Sequence, residues 1–592
     1  MKTGDPAMAS MAPPDGEGPL VREGDRDAHG LLSLAALPAE NPLLRPVRDV
    51  LEGVAGISGV GGPGGVVGTG LRAPLYVAAG TPLHEAAALM AGAGASACLV
   101  RVAGADTERD APSSQAAGGS RSADSGPSDF QRPSDVQYPA GILTERDVVG
   151  ALARHGAAAA TLPVEAAMTA ALVTVREDEL LFEGLSRMVR HAIRRLVVVA
   201  ADGAVRGLLE ERDLLSAGAD NPVQLVADMA TAPDGTACRP LLERARRVVV
   251  RCVEQGVPAR YVGRLGAELQ DHLLARLTHL AVASMPLPPP APFGMAVLGS
   301  QARREQFLAA DQDAALVISE AFGDVPPEQV ADYFTRLAAH LAALQAEAGV
   351  PDCPHGVVPG NPAWRMTLPQ WRSDVAAMLR APDASGVLRC SILADARGVD
   401  DGWDLVARLR ALLTDMVRTA PLMLRYMARE AVRFAPPLGV FGALVVERDK
   451  AGRAGDSGGQ GAAGDSRKAG GRSTGTLNLK RGGLFPLMHG VRTLTLDAGA
   501  TAHDTAGRIA QLQATGVLSA ARAADLGEAM DHLLGLRARA QAAALRGGAV
   551  PDDRVRPDEL SGLDREQLKQ CFKVVADFQD MLRRRYSLHL MT

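Results

Sequence analysis

The segment Gly141-Ile-Leu-Thr-Glu-Arg-Asp147 recurs 66 residues later as Gly207-Leu-Leu-Glu-Glu-Arg-Asp213. The same succession precedes each copy. In the first, Pro74-Leu-Tyr-Val is followed by a helix-period stretch from Leu83 to Met90 and by Ala97-Cys-Leu-Val-Arg-Val. In the second, Ala171-Leu-Val-Thr-Val is followed by a helical stretch through Met188 and by Arg195-Leu-Val-Val-Val-Ala. Short β-branched runs around one amphipathic helix, used twice, confine this part of the chain to a pair of small α/β units. A polar Ser/Gly/Asp-rich insertion at 107–137 interrupts the first copy.

At 592 residues the chain exceeds one core, and about 100–200 residues per domain predicts three or four folded units. Residues 1–43, rich in Gly, Pro and Asp without a stable period, are expected to be flexible. The duplicated pair occupies 44–218, a helical connector 219–285, an α/β domain 286–402, and a mostly helical domain 403–592 with a flexible Gly/Ser/Lys-rich insertion at 449–475. The glycine cluster Gly59–Gly70 has no lysine followed by Ser or Thr, so it is not a phosphate-binding Walker loop. Long helical periodicity is expected over 403–434, 501–547 and 564–587.

A net charge of -5 supplies no broad attraction for nucleic acid. Six scattered cysteines lack paired metal-ligand spacing and fit a reducing compartment. With no apolar run of about 18 residues and no secretion signal, the expectation is a cytoplasmic protein without a membrane span.

The chemistry-bearing pattern lies in the third region. Phe293-Gly-Met-Ala-Val-Leu reads as a buried strand, Gly299-Ser300 follows it, and Asp311-Gln312-Asp313 introduces a second strand at Ala314–Ile318. Carboxylates one residue apart share a face of an extended segment and converge on a hard divalent cation. A glycine turn admits a phosphate closely, and the Ser300 hydroxyl offers it a hydrogen bond. Trp364 and Trp371 fit a substrate surface or ordinary packing equally well.

These residues also carry family resemblances. The 66-residue duplication resembles a tandem pair of cystathionine-β-synthase-type (CBS) regulatory modules. That resemblance implies an adenine-nucleotide regulatory ligand, held at Thr144, Asp147 and Asp213, and homodimerisation through the modules. Glu210 stands where a hydroxyl is expected, which favours one adenylate site over two; helix capping is the alternative role of Asp147 and Asp213. The stretch Gly299-Ser-Gln-Ala-Arg-Arg-Glu-Gln-Phe-Leu-Ala-Ala-Asp-Gln-Asp313 resembles the signature of bacterial nucleotidyltransferases that follow CBS-type modules. It is also similar to the transferase centre of PII-protein uridylyltransferases, within the DNA-polymerase-β-like superfamily. The resemblance continues through Cys353-Pro-His-Gly, Asn361-Pro-Ala-Trp-Arg365 and Asn478-Leu-Lys-Arg-Gly-Gly-Leu.

It implies a nucleotidyltransferase α/β domain followed by a mostly helical substrate-binding domain. The implied activity is magnesium- or manganese-dependent transfer of a nucleoside monophosphate from an NTP to a protein or small-molecule hydroxyl. By position, Asp311, Asp313 and Asp395 become catalytic metal ligands. Gly299, Ser300 and Arg303 become the phosphate turn, supported by Glu305, and Arg397, Lys480 and Arg481 become substrate contacts. A salt bridge between Asp395 and Arg397 is the competing structural role. Two departures stand out: Ala302 replaces a common glycine and restricts the backbone if positive φ is needed there, and Ala310 replaces a hydroxyl residue. They motivate a second reading, a catalytically degenerate adenine-nucleotide sensor that regulates a partner protein.

Overall fold

A computed structural model describes residues 42–51, 74–101, 139–214, 221–308, 312–351, 353–439, 442–448 and 475–590. The insertion at 107–137, the Gly59–Gly70 cluster, Ala310, Asp311 and nearly all of 1–43 and 449–475 lie outside the described residues. The chain divides into two compact units, one holding Pro46–Glu179 and Arg195–Glu210, the other Leu180–Arg194 and Glu211–Thr592.

The first unit contains two three-stranded sheets of one topology. The strands β1 (Tyr76–Ala78), β2 (Ala97–Arg101) and β3 (Gly141–Thr144) lie in that order, and so do β4 (Thr174–Arg176), β5 (Arg195–Val199) and β6 (Val205–Glu210). In each, the first pair is parallel and the second antiparallel, with Ala97 opposite Thr144 and Arg195 opposite Glu210. The sequence duplication is therefore a structural one, and Thr144 and Glu210 occupy equivalent strand ends. Leu99 of one sheet packs with Val197 and Val199 of the other, so the two repeats share a core.

In the second unit the connector region forms the helices Pro222–Thr231, Gly235–Glu254 and Ala259–Ala283. A four-stranded sheet follows, with β7 (Phe293–Val297), β8 (Ala314–Ile318), β9 (Arg365–Thr367) and β10 (Arg397–Val399) in the order β10-β7-β8-β9. Every residue of β8 is buried, as a continuous Ala-Ala-Leu-Val-Ile run in a central strand requires. Antiparallel β7–β8 pairing sets Phe293 opposite Ile318 and Val297 opposite Ala314, which brings the end of β7 to the start of β8.

The carboxyl-terminal region is mostly helical, with one correction to the sequence reading. The helical run expected over 403–434 is two helices, Leu405–Arg418 and Pro421–Ala431, because Pro421 lacks an amide proton and starts a new helix. Helices Phe485–Ala498, Thr505–Ala514, Ala520–Arg546 and Gly562–Arg585 complete the domain. They accompany a small sheet of β11 (Glu447–Arg448), β12 (Gly475–Asn478) and β13 (Arg554–Val555) that sequence periodicity did not reveal. No helix among the described residues is long and apolar enough to cross a membrane.

The two tryptophans belong to the core. Trp371 is fully buried, donates from its indole nitrogen to the Leu316 carbonyl at 3.3 Å, and lies 6.3 Å from the Trp364 ring. Packing thus takes the place of a substrate surface at both. Trp371→Ala is expected to lower stability by about 3–5 kcal/mol through the cavity it leaves, measured as a lower urea midpoint with an unchanged slope.

Candidate active site

The chain leaves β7 at Leu298 and turns at Gly299, whose φ is +58°, in the left-handed region. A four-residue helix, Gly299–Ala302, follows. The turn is closed by the Glu305 amide donating to the Ser300 carbonyl at 2.9 Å, and it is tied to the neighbouring strand by the Leu298 amide donating to the Asp313 carbonyl at 2.9 Å. A Cβ on Gly299 would lie 2.9 Å from Asp313 Oδ2, too close to be accommodated, so only a residue without a side chain lets the turn approach this carboxylate. The Cys353 thiol donates to Asp313 Oδ1 at 3.0 Å, a contact the sequence did not suggest. The signal was present, because Cys353 belongs to the Cys-Pro-His-Gly element that accompanies the turn in the resembling sequences. Burial, then the bond to Asp313, pushes the Cys353 thiol up.

Ala302 does not strain the turn. It ends the short helix in ordinary helical geometry, fully buried, and the positive φ after Gly299 falls instead at Arg304, at +59°.

Arg303 and Asp395 meet each other rather than open space. Asp395 has no exposed surface. Its carboxylate accepts from Arg303 Nη1 at 2.5 Å, from Arg492 Nε at 3.0 Å and Nη2 at 2.5 Å, and from Arg508 Nη1 at 2.7 Å. Arg303 also donates to Glu305 at 2.8 Å, and Glu305 accepts the Thr505 amide at 2.9 Å. Burial alone would raise the Asp395 carboxyl, but Arg492, Arg303 and Arg508 overcome it and hold the group far below the usual carboxylate range. Asp395 is thus the shared anion of three buried arginines.

Arg397 has no ion pair with Asp395. It pairs with Asp271 at 2.7 Å and donates to the Ala302 and Gln301 carbonyls at 3.1 and 3.2 Å, bracing the far end of the short helix. Lys480 and Arg481 begin a π-helical turn, Lys480–Leu484. Lys480 Nζ lies 4.0 Å from Asp553, and the Arg481 guanidinium covers Phe434 at 4.6 Å. Asp553 also pairs with Arg537 at 2.6 Å, on the helix whose Gln541 accepts the Leu308 amide at 3.3 Å. The substrate-domain residues thus connect to the segment after the turn without touching the turn. Asp311 lies outside the described residues, and among those described no three His, Cys, Asp or Glu side chains converge as metal ligands.

In the first unit, Thr144 and Asp147 form a reciprocal capping box. The Asp147 amide donates to Thr144 Oγ1 at 3.3 Å, and Asp147 Oδ2 accepts the Thr144 amide at 2.9 Å and its hydroxyl at 2.6 Å. At the equivalent position Glu210 accepts from Ser96 Oγ at 2.6 Å and pairs with Arg195 at 3.2 Å, while Asp213 lies in the short helix Glu211–Leu214.

Comparison with known proteins agrees with this layout. Residues 243–385 match the family model described as "Putative nucleotidyltransferase DUF294". Residues 466–586 match "Putative nucleotidyltransferase substrate binding domain", and residues 164–220 match "CBS domain". The chain joins a CBS region to a nucleotidyltransferase-type domain. Solved structures similar to it include a CBS-domain-containing protein from Agrobacterium tumefaciens, at 21% identity over 28% of this chain and 90% of that one, with a TM-score of 0.19. Another is a CBS domain protein from Pyrobaculum aerophilum complexed with AMP, at 20% identity over 25% and 88%, with a TM-score of 0.18. A third is a conserved CBS domain protein from Thermoplasma acidophilum, at 16% identity over 26% and 69%, with a TM-score of 0.19. No curated protein matches the chain.

Replacing Asp395 with Asn leaves three buried guanidinium groups without their shared anion, and about 3–5 kcal/mol of stability is expected to be lost. The sign of the pH dependence follows from the depressed carboxyl. Its contribution is complete above the unfolded carboxylate value of about 4 and fades as pH falls toward the much lower folded value. Denaturant titrations of wild type and Asp395→Asn should differ most above about pH 5 and converge in strong acid.

Proposed function

We propose that the nucleotidyltransferase-type domain transfers a nucleoside monophosphate from an NTP to a protein or small-molecule hydroxyl, with PII-protein uridylyltransferase-like activity as one form of this chemistry. The observation that supports it is the adjoining placement of the Gly299–Ser300 turn and the Asp313 carboxylate at the β7–β8 end of the sheet. In the reaction the acceptor oxygen attacks the α-phosphorus. The bond from that phosphorus to the α–β bridging oxygen breaks, its electron pair leaves with pyrophosphate, and the hydroxyl proton passes to solvent.

Gly299 lets the turn backbone approach the Asp313 carboxylate, and Ser300 offers its hydroxyl to a nonbridging phosphate oxygen. Asp313, with Asp311 two residues before it in sequence, would hold Mg²⁺ or Mn²⁺, which supplies neutralisation of phosphate charge. Arg303 serves the turn indirectly, joining it through Asp395 to the carboxyl-terminal helices. Arg397 fixes the opposite end of the short helix, and Lys480 and Arg481 are the acceptor-side candidates.

We further propose that the CBS region binds an adenine nucleotide at Thr144 and Asp147, with Asp213 in the weaker equivalent position, and that this region mediates homodimerisation. The engagement of Glu210 by Ser96 and Arg195 favours a single adenylate site. The second reading, a degenerate transferase scaffold serving an adenine-nucleotide sensor, draws on the enclosure of Asp395 by arginines.

Incubation of the full chain with α-labelled NTPs, Mn²⁺ and cell extract tests transfer. Wild type should label an acceptor, and Asp313→Asn should reduce labelling by roughly 10²–10³-fold without a change in melting temperature. Absence of labelling by wild type, with adenylate-induced stabilisation intact, selects the sensor. Thr144→Ala should cost about 1 kcal/mol from the lost cap and abolish adenylate binding by calorimetry; unchanged affinity would remove Thr144 from the site.

A further inference from the structure

Arg304 is the conspicuous residue left over by the turn. It follows the short helix with its amide donating to the Gln301 carbonyl at 3.0 Å, and its φ of +59° places a long side chain in a backbone region that disfavours one. The Arg304 carbonyl presses against the helix Ala259–Ala283 at Gly263, where a Cβ would come within 2.7 Å, so neighbouring helix and turn fix the position of this residue.

Its surroundings are rich in cations that already have partners. Arg397 pairs with Asp271, Arg190 with Glu268 at 2.9 Å, and Arg264 with Glu183 at 2.6 Å. Among the described residues Arg304 Nε is buried without a hydrogen-bond partner. Of these four guanidinium groups, Arg304 is the one with no ion pair among the described residues. Burial, then Arg190 and Arg397, push the Arg304 guanidinium down to about 10. It remains a cation at neutral pH. A base whose folded value lies below its unfolded one weakens the fold throughout the range in which it stays charged. The same field acts on His503, whose Nδ1 lies 2.6 Å from Arg410 Nη1; burial, Arg410 and Arg397 push it down to about 2, leaving a neutral ring.

We propose that Arg304, with Arg397 and Arg190, forms a binding site for a phosphoryl group, separate from the Gly299–Asp313 turn. A phosphoryl dianion brings three acceptor oxygens, enough to satisfy Arg304 Nε and reach an adjoining guanidinium fork, whereas a single carboxylate spans fewer donors. It also brings negative charge to the guanidinium that has no ion pair. Arg190 ends the helix Leu181–Arg190, which lies in the second of the duplicated repeats, and Arg397 braces the transferase turn. A phosphoryl group held here would touch the repeat's helix and the turn's support at once. The inference stands on charge and geometry around Arg304 and does not require the transfer reaction.

The test is thermal unfolding of the full chain in EDTA at constant ionic strength, with chloride as reference and inorganic phosphate or ribose 5-phosphate as probe. These are the free and ester-linked forms of the group. Wild type should gain a few degrees with one or both probes, and the more effective probe identifies the source. Arg304→Gly, which relieves the backbone conformation and removes the guanidinium that has no ion pair, should melt no lower than wild type in chloride and show no probe-dependent gain. Asp313→Asn should keep the gain. No gain in wild type, a gain retained by Arg304→Gly, a gain lost in Asp313→Asn, or a lower melting point of Arg304→Gly in chloride would each overturn the proposal.

Discussion

One buried carboxylate organises the nucleotidyltransferase-type half of the protein. Asp395 receives Arg303 from the segment after the turn, Arg492 from the helix Phe485–Ala498 and Arg508 from the helix Thr505–Ala514. These partners are 92, 97 and 113 residues away in sequence. Each guanidinium is buried and shares the same two carboxylate oxygens, with Arg303 also paired to Glu305 and Arg508 also donating to the Ala502 and Ala394 carbonyls. Removal of the anion therefore leaves Arg492 and Arg508 without a carboxylate and Arg303 with Glu305 alone, which makes the sheet domain and the carboxyl-terminal helices mutually dependent. Glu305, accepting from Arg303 and from the Thr505 amide, adds a second bond between the same partners.

The turn inherits its geometry from this arrangement. Its amino-terminal side is fixed by the β7–β8 ladder, its far side by Arg397 on the Gln301 and Ala302 carbonyls, and the following segment by Arg303 and Glu305. Gly299 lets the turn come close to the Asp313 carboxylate, where a Cβ would stand 2.9 Å from Oδ2. The short helix and the Asp313 carboxylate are thereby held in one mutual arrangement.

How much of this was legible in the sequence depended on whether the information was local. The duplication at 141–147 and 207–213 carried strand, turn and helix signals in order, and both repeats have the expected topology. The β7 and β8 strands were readable because uninterrupted apolar residues define them, and the neighbouring Gly299 and Asp313 followed from strand pairing. The partners of Asp395 were not legible because sequence records a carboxylate without its counterions, and all three arginines lie far away along the chain. Arg397, two residues off, looked like the natural partner; it lies instead on β10, where it reaches Asp271 and the end of the short helix. The sheet β11–β13 was missed because its strands are two to four residues long, too short for an alternating pattern to register.

The capping box at Thr144 has a consequence for the adenylate site proposed there. Both of its side chains already serve the first turn of the helix Glu145–His155. An incoming ligand that recruits either one must take over the amide contacts that start that helix, so occupancy and helix order become a single equilibrium. The response of such a site to its ligand is then set partly by how readily eleven residues fray, and substitutions along the exposed face of that helix would tune sensitivity without touching the ligand.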